Sequence, residues 1–240
     1  IQKHNVKIIA IGNGTASRES ELFVANLIKK YNLDVKYVIV SEAGASVYSA
    51  SPLAKKEFPD YSVEQRSAVS IGRRLQDALS ELVKIDPKSI GVGLYQHDLK
   101  QKELDDELGF VVSKVVNEVG VNLNNASDSI LNYVSGLNKK VIGKILDYKK
   151  KNGSFKTREE LKKVSGMDEK TFEQCAGFLR IFGSNPLDKT NIHPEDYELV
   201  LKILNDYNVS ESLVGTKDIE EKLKKIKTSD IINKYNISVD

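Results

Sequence analysis

Cysteine is almost missing from this 240-residue chain. Cys175 stands alone, which excludes an internal disulfide framework and any zinc site with two thiolate ligands. Histidine is scarce as well: His4, His97 and His193 lie far apart, with no metal-ligand spacing. No apolar run reaches the roughly 18 residues that a bilayer span needs, and no signal peptide is recognisable, so a reducing cytoplasm is the expected compartment. An excess of one charge is lacking too. Lys+Arg 36 against Asp+Glu 34 leaves +2, so no strong overall field announces a nucleic-acid or membrane partner. Nothing in the sequence calls for a cofactor. The chain opens at Ile1 directly before a strand-like run, without an initiator methionine, and reads as a fragment.

What is present is a division of charge. Residues 1–120 carry 16 basic and 16 acidic side chains, residues 121–182 carry 12 and 7, and residues 183–240 carry 8 and 11. A phosphate-binding surface is therefore expected in the middle section.

The first section alternates strand and helix signals. Val6 to Ile11, closed by Gly12-Asn13-Gly14, has the pattern of a buried parallel strand. Thr15 or Ser17 then caps a helix whose inner stripe is Leu22, Phe23, Asn26 and Leu27. A second strand runs from Val35 to Val40. Strand, helix, strand over this length is a parallel crossover unit. Ala68, Ile71, Leu75, Leu79 and Leu82 mark one further helix, and Leu104, Leu108, Val111, Val115 and Val119 mark a long one. Two strands make a poor sheet, so more of it is expected before Ile1.

The middle section repeats itself. Val134-Ser135-Gly136-Leu137-Asn138-Lys139-Lys140 returns 30 positions later as Val164-Ser165-Gly166-Met167-Asp168-Glu169-Lys170. Each copy joins two helical stretches. Gly153 ends one of them, and Thr157-x-x-Glu160 forms a capping box for the next. A helix–hairpin–helix turn offers unpaired main-chain amides and the positive end of a helix dipole to a phosphate, and nearby lysines add charge without reading sequence. The expected nucleic-acid contacts are Gly136, Leu137, Asn138, Lys139 and Lys140 in the first turn, and Gly166, Met167 and Lys170 in the second. Asp168 carries a charge that repels phosphate, so the first turn is expected to be the better contact. The run Lys149-Lys150-Lys151 either ends a helix or extends the basic patch.

The stretch from Asn122 to Ile181 resembles the paired helix–hairpin–helix domain of competence-type DNA-binding proteins. Three flanking motifs resemble the Tex family of transcription accessory proteins. They are Gly12-Asn13-Gly14-Thr15-Ala16-Ser17-Arg18-Glu19, Ser41-Glu42-Ala43-Gly44-Ala45-Ser46-Val47-Tyr48-Ser49-Ala50-Ser51 and Lys84-Ile85-Asp86-Pro87-Lys88-Ser89-Ile90-Gly91-Val92-Gly93. Phe172-Glu173-Gln174 and Asn185-Pro186-Leu187-Asp188 agree with the same family.

The resemblance implies an α/β plus mainly α chain. Residues 1–85 would be the C-terminal half of an RNase H-like (YqgF-type) domain, 86–120 a connecting loop and long helix, 121–182 the paired hairpins and 183–240 a small helical domain. The function it implies is non-specific nucleic-acid binding in a transcription accessory factor, without catalysis. RNase H-like enzymes hold divalent metals on clustered carboxylates, and Glu42 and Glu64 fall where the second and third of these would stand, as vestiges. A metal-dependent nuclease or resolvase remnant is thus one alternative. A protein-binding scaffold for RNA polymerase or other transcription proteins is another. Asp77 beside Arg73 and Arg74 reads as a surface ion pair, His97-Asp98 as a loop hydrogen bond and Cys175 as a small core residue.

Overall fold

Two parallel strands joined by a helix open the structure, a computed structural model that describes residues 1–224 and 226–237. Strand β1 (Ile8–Gly12) pairs with β2 (Lys36–Val40) in register from Ile8 opposite Lys36 to Gly12 opposite Val40. Helix α1 (Ser17–Tyr31) makes the crossover. Its N-cap is Ala16, in left-handed backbone, and neither Thr15 nor Ser17 caps it through a side chain. The expected inner stripe is also displaced. Leu22 and Phe23 are exposed, whereas Val24, Leu27 and Ile28 are half-buried. The helix carries two apolar stripes a residue apart, and a two-stranded sheet covers only one of them.

Helices α2 (Ala45–Ala50) and α3 (Pro52–Glu57) follow β2, and α4 (Val63–Gln76) packs against both strands and α2. Ser62 and Gln65 form the capping box at the start of α4. The helix expected to continue to Leu82 breaks at Asp77. There the carboxylate accepts the Ser80 amide at 3.0 Å and the Ser80 hydroxyl at 2.6 Å, starting α5 (Ala78–Leu82). Asp77 is therefore a cap and not the partner of Arg73 or Arg74. Arg73 reaches Glu57 (3.1 Å) and Glu81 (3.5 Å), and the buried Lys84 reaches the same two carboxylates at 3.1 and 2.7 Å. Tyr48, Ala54 and Ile85 form a small apolar core beside this cluster. The loop to α6 (Gln101–Val119) is pinned by Gln96, which accepts the Val92 amide and donates to the Lys88 carbonyl, and by the Lys88–Asp105 pair. His97 is exposed.

The chain divides into two units, Ile1–Val112 and Ser113–Asp240, so the break falls inside α6. Val111, Val115 and Val119, expected on the inner face of that helix, are exposed. Val116 is the buried position, one residue along from that stripe.

In the second unit β3 (Val121–Asn122) pairs in parallel with β4 (Leu179–Arg180). Between them lie α7 (Asp128–Leu131), α8 (Lys139–Asn152), a 3₁₀ turn at Arg158–Lys163 and α9 (Glu169–Ala176). The core is Leu123, Ile130, Leu131, Ile142, Ile145, Leu161, Cys175, Leu179 and Ile181, all 2 % exposed or less. The Thr157–Glu160 capping box does not form. Thr157 makes no side-chain cap, and Glu160 accepts the Lys156 amide instead at 2.7 Å. A 3₁₀ turn does not present its third amide as an α-helix does, which removes the box's geometry.

Arg158, 1 % exposed, holds the segment after β4 in place. Its guanidinium donates to the carbonyls of Leu179 (2.7 Å), Ile192 (2.7 Å) and Thr190 and to the Tyr197 hydroxyl. Asp188, equally buried, accepts the Arg158 amide (2.9 Å) and the Tyr197 hydroxyl (2.7 Å). The segment Asn185–Tyr197 is thus stitched into the hairpin unit, across the expected boundary at 182/183. Helices α10 (Tyr197–Asp206), α11 (Lys217–Leu223) and α12 (Thr228–Tyr235) follow, and position 225 and the last three positions of the expected 183–240 section lie outside the described residues. Among the described residues no helix is long and apolar enough to cross a membrane.

Candidate nucleic-acid interface

The two turns repeat in geometry as they do in sequence. In each, the carbonyl of a buried valine accepts an amide three residues on: Val134 from Leu137 at 3.3 Å, Val164 from Met167 at 3.0 Å. Gly136 and Gly166 take left-handed backbone, with φ of 83° and 86°, a conformation that costs little only without a Cβ. Asn138 and Asp168 then act as N-caps. Asn138 Oδ1 accepts the Lys140 and Val141 amides at 3.0 and 3.1 Å, and Asp168 Oδ1 accepts the Thr171 amide at 2.8 Å.

These bonds decide which donors remain. Leu137 and Met167 spend their amides inside the turn, and the Met167 side chain is 7 % exposed. The Met167 side chain is drawn toward the core, whereas Leu137 is half-buried. The amides of Gly136, Asn138 and Lys139 have no acceptor among the described residues; nor have those of Gly166, Asp168, Glu169 and Lys170. Lys139, Lys140, Lys144 and Lys170 are exposed.

The turns differ in charge and in surroundings. Hydrogen bonds from Thr171 hold the Asp168 carboxyl below the usual carboxylate range, so the second helix start carries a negative charge at neutral pH. The cap of the first is a neutral amide. A Cβ at Gly136 would sit 2.6 Å from Gln174 Cβ, so this turn lies directly on α9, whereas Gly166 has only Val141 Cγ2 at 3.9 Å. Lys149 does not join the basic surface. Its ammonium donates to the carbonyls of Asn124 (3.2 Å) and Ala126 (3.3 Å), and burial lowers its pKa. Lys150 and Lys151 are exposed.

Asn117 was not evident as a site residue. From α6 its Oδ1 accepts the Ser135 amide at 3.0 Å and its Nδ2 donates to the Tyr133 carbonyl at 3.1 Å, clamping the first turn. The available signal was an asparagine inside a helix, where it is a poor former.

Glu42 and Glu64 are not brought together. Glu42 follows β2, and its carboxylate fills the space where side chains at Gly12 and Gly14 would stand, while Asn13 Oδ1 accepts the Glu42 amide at 3.0 Å. That turn is occupied by a carboxylate. Arg74, 7 % exposed, donates to the Ser41 carbonyl at 2.8 Å next door. Its Nε and Nη2 find no partner among the described residues; burial lowers its pKa, opposed by the charges of Glu81 and Glu42. Glu64 stands ten residues before Arg74 on α4, about 15 Å along the axis, where it accepts the Ser62 hydroxyl at 2.7 Å. Among the described residues no group of three or more His, Cys, Asp or Glu side chains is placed to hold a metal. A divalent ion would meet one carboxylate beside a buried guanidinium, so these residues do not fit the metal centre of an RNase H-like enzyme.

Residues 1–76 match the Tex protein YqgF-like domain, residues 116–180 the helix-hairpin-helix motif and residues 185–239 an HHH domain. The chain is 52 % identical over 233 residues to the transcriptional accessory protein Tex of Neisseria gonorrhoeae, covering 96 % of this chain and 30 % of that protein. It is 56 % identical over 204 residues to protein tex of Bordetella pertussis, covering 84 % and 26 %. Human S1 RNA-binding domain-containing protein 1 is 41 % identical over 271 residues, covering 91 % and 27 %. The chain spans about a third of the length of the curated relatives it matches.

Proposed function

The chain belongs to the Tex family over nearly its whole length, and on that premise we propose that it binds the nucleic-acid backbone without sequence specificity and without catalysing a reaction, as part of a cytoplasmic transcription accessory factor. One observation carries the reading. At the start of α8 a neutral cap leaves the Gly136, Asn138 and Lys139 amides open beside the exposed Lys139 and Lys140. Unpaired amides at a helix N-terminus with adjacent cations are a phosphate-binding arrangement. Gly166 and Lys170 are the weaker second contact, because Asp168 brings a carboxylate to the same place. The relatives' printed names, transcriptional accessory protein and S1 RNA-binding domain-containing protein, support the same reading.

Anisotropy titrations of a labelled duplex and a labelled single strand at low and moderate salt test it. Binding is expected to be tolerant of sequence and steeply salt-dependent. Lys139→Glu/Lys140→Glu reduces the slope of log K against log salt by about 2. Affinity indifferent both to salt and to that double reversal ends the proposal.

A second reading, docking of a protein of the transcription machinery, rests on a separate observation in the first unit: Leu94 and Tyr95 are 94 % and 77 % exposed in the loop before α6. Pull-down of RNA polymerase with and without nuclease treatment separates the two. Capture that survives nuclease and is lost in Leu94→Ser/Tyr95→Ser supports docking.

A further inference from the structure

Beside the first turn the second unit holds a cavity of about 470 Å³, lined by Asn117, Glu118, Glu173, Gln174, Gly177, Phe178, Asn191 and His193. Its volume lies in the range that takes a small organic ligand. The cavity borders the proposed phosphate contact on two sides: Asn117 accepts the Ser135 amide, and Gln174 lies against Gly136. A strand whose phosphate sits on the turn would therefore carry its next residue to the mouth of this cavity.

The lining states what enters. Phe178 supplies a partly exposed aromatic ring, and the amides of Gln174 and Asn191 are exposed. The His193 ring is fixed, with Nε2 2.9 Å from the Glu173 carbonyl and Nδ1 3.4 Å from the Glu195 amide. His193 Nδ1 also stands 3.5 Å from a Glu195 carboxylate oxygen, and a Cβ at Gly177 would meet Cδ2 at 3.3 Å, so the ring lies against that glycine. Glu118 and Glu173 are exposed carboxylates. They repel phosphate and accept hydrogen bonds from amino groups. An aromatic ring, side-chain amides and acceptor-only carboxylates together suit an uncharged flat ring bearing an exocyclic amino group.

The geometry points to a nucleobase pocket: an unstacked, amino-bearing base of a single strand, such as cytosine, enters between Phe178, Gln174 and Asn191 while its flanking phosphate rests on the Gly136 turn. This deepens the backbone-binding reading and rests on it. It names single-stranded over duplex nucleic acid, because a paired base cannot leave its stack without cost.

The test compares short labelled oligo(dC), oligo(dT), an oligo(dC) with abasic positions and a duplex, on the whole chain. Oligo(dC) is expected to bind roughly tenfold more tightly than the abasic strand or the duplex, the size of one base stacked on an aromatic ring, and more tightly than oligo(dT), which lacks the amino group. Gln174→Ala/Asn191→Ala, at exposed positions, removes the dC-over-dT preference without changing the salt slope. Phe178→Ala lowers oligo(dC) affinity to the abasic level. Equal affinity for oligo(dC), oligo(dT) and the abasic strand overturns the pocket. If that common affinity is still salt-dependent and lost in Lys139→Glu/Lys140→Glu, the backbone reading stands by itself. If no probe binds in a salt-dependent way, both fall.

Discussion

Replacing Gly136 and Gly166 by alanine, one at a time, separates two positions that the repeat makes look equivalent. Both glycines have φ near 85°, so an alanine at either pays about 1–2 kcal/mol for the left-handed backbone. Their surroundings differ. The new methyl at 136 would lie 2.6 Å from Gln174 Cβ, 3.0 Å from the Gln174 carbonyl carbon and 3.2 Å from the Cys175 nitrogen. These atoms belong to α9 itself and cannot swing aside as a side-chain end does. Overpacking of this kind costs a further ~1–3 kcal/mol, giving about 2–5 kcal/mol in all. At 166 the nearest atom is 3.9 Å away, so the loss stays near 1–2 kcal/mol. Because the chain has two units, the probe must report on one of them. Cys175, buried beneath the first turn, serves: its labelling by a thiol reagent across a urea series follows the opening of the second unit alone. With a slope of about 1–3 kcal/mol/M, the Gly136→Ala midpoint should fall roughly 1 M below that of Gly166→Ala. Equal midpoints, or a larger loss at 166, would refute the close approach of turn and helix.

Arg158→Met should destabilise the second unit by about 3–5 kcal/mol, since three carbonyls and the Tyr197 hydroxyl lose their donor inside the core; thermal unfolding of the variant reads it, and a loss below about 1 kcal/mol would contradict the network. Asp168→Asn should keep the cap, as Asn138 does in the first turn, while removing a negative charge, so nucleic-acid affinity rises several-fold at low salt. The same variant answers a pH question. Asp168 is held below its ordinary pKa, so its stabilising bonds are complete above about pH 4 and fade as pH falls through the folded-state value; Asp168→Asn should flatten that part of the acid-unfolding profile, and an unchanged profile would count against it. Burial pushes the Cys175 thiol up to about 12, so at mildly alkaline pH native protein should resist iodoacetamide and react only on unfolding.

Short-range patterns were legible in the sequence and long-range ones were not. The parallel crossover, the repeated turns and the helix end at Gly153 follow from local chemistry, but the first strand, expected to be buried, has only Ile11 buried and Ile8 exposed, because a two-stranded sheet leaves much of each strand uncovered. Capping misled at Thr157, where the expected α-helix is a 3₁₀ turn, while the working box at Ser62–Gln65 carried the same spacing unnoticed. Apolar stripes failed by one residue on α1 and α6, because periodicity names a helix face without saying what covers it. Among the expected contacts, Lys139 and Lys140 are exposed, while the sequence did not show that the Leu137 and Met167 amides close their turns. Arg158 gave no signal at all. A basic residue in a basic section reads as surface, and only the three-dimensional gathering of Leu179, Thr190, Ile192 and Tyr197 shows it to be core.

The pairing of Val121–Asn122 with Leu179–Arg180 brings the two ends of the twin-hairpin stretch to neighbouring strands, about 4.8 Å apart. The polypeptide enters and leaves at almost one point, running in the same direction both times. A graft of this stretch into a surface loop of another host must therefore carry the polypeptide on through Tyr197, because Arg158 inside it bonds to Thr190, Ile192 and Tyr197 beyond the second strand.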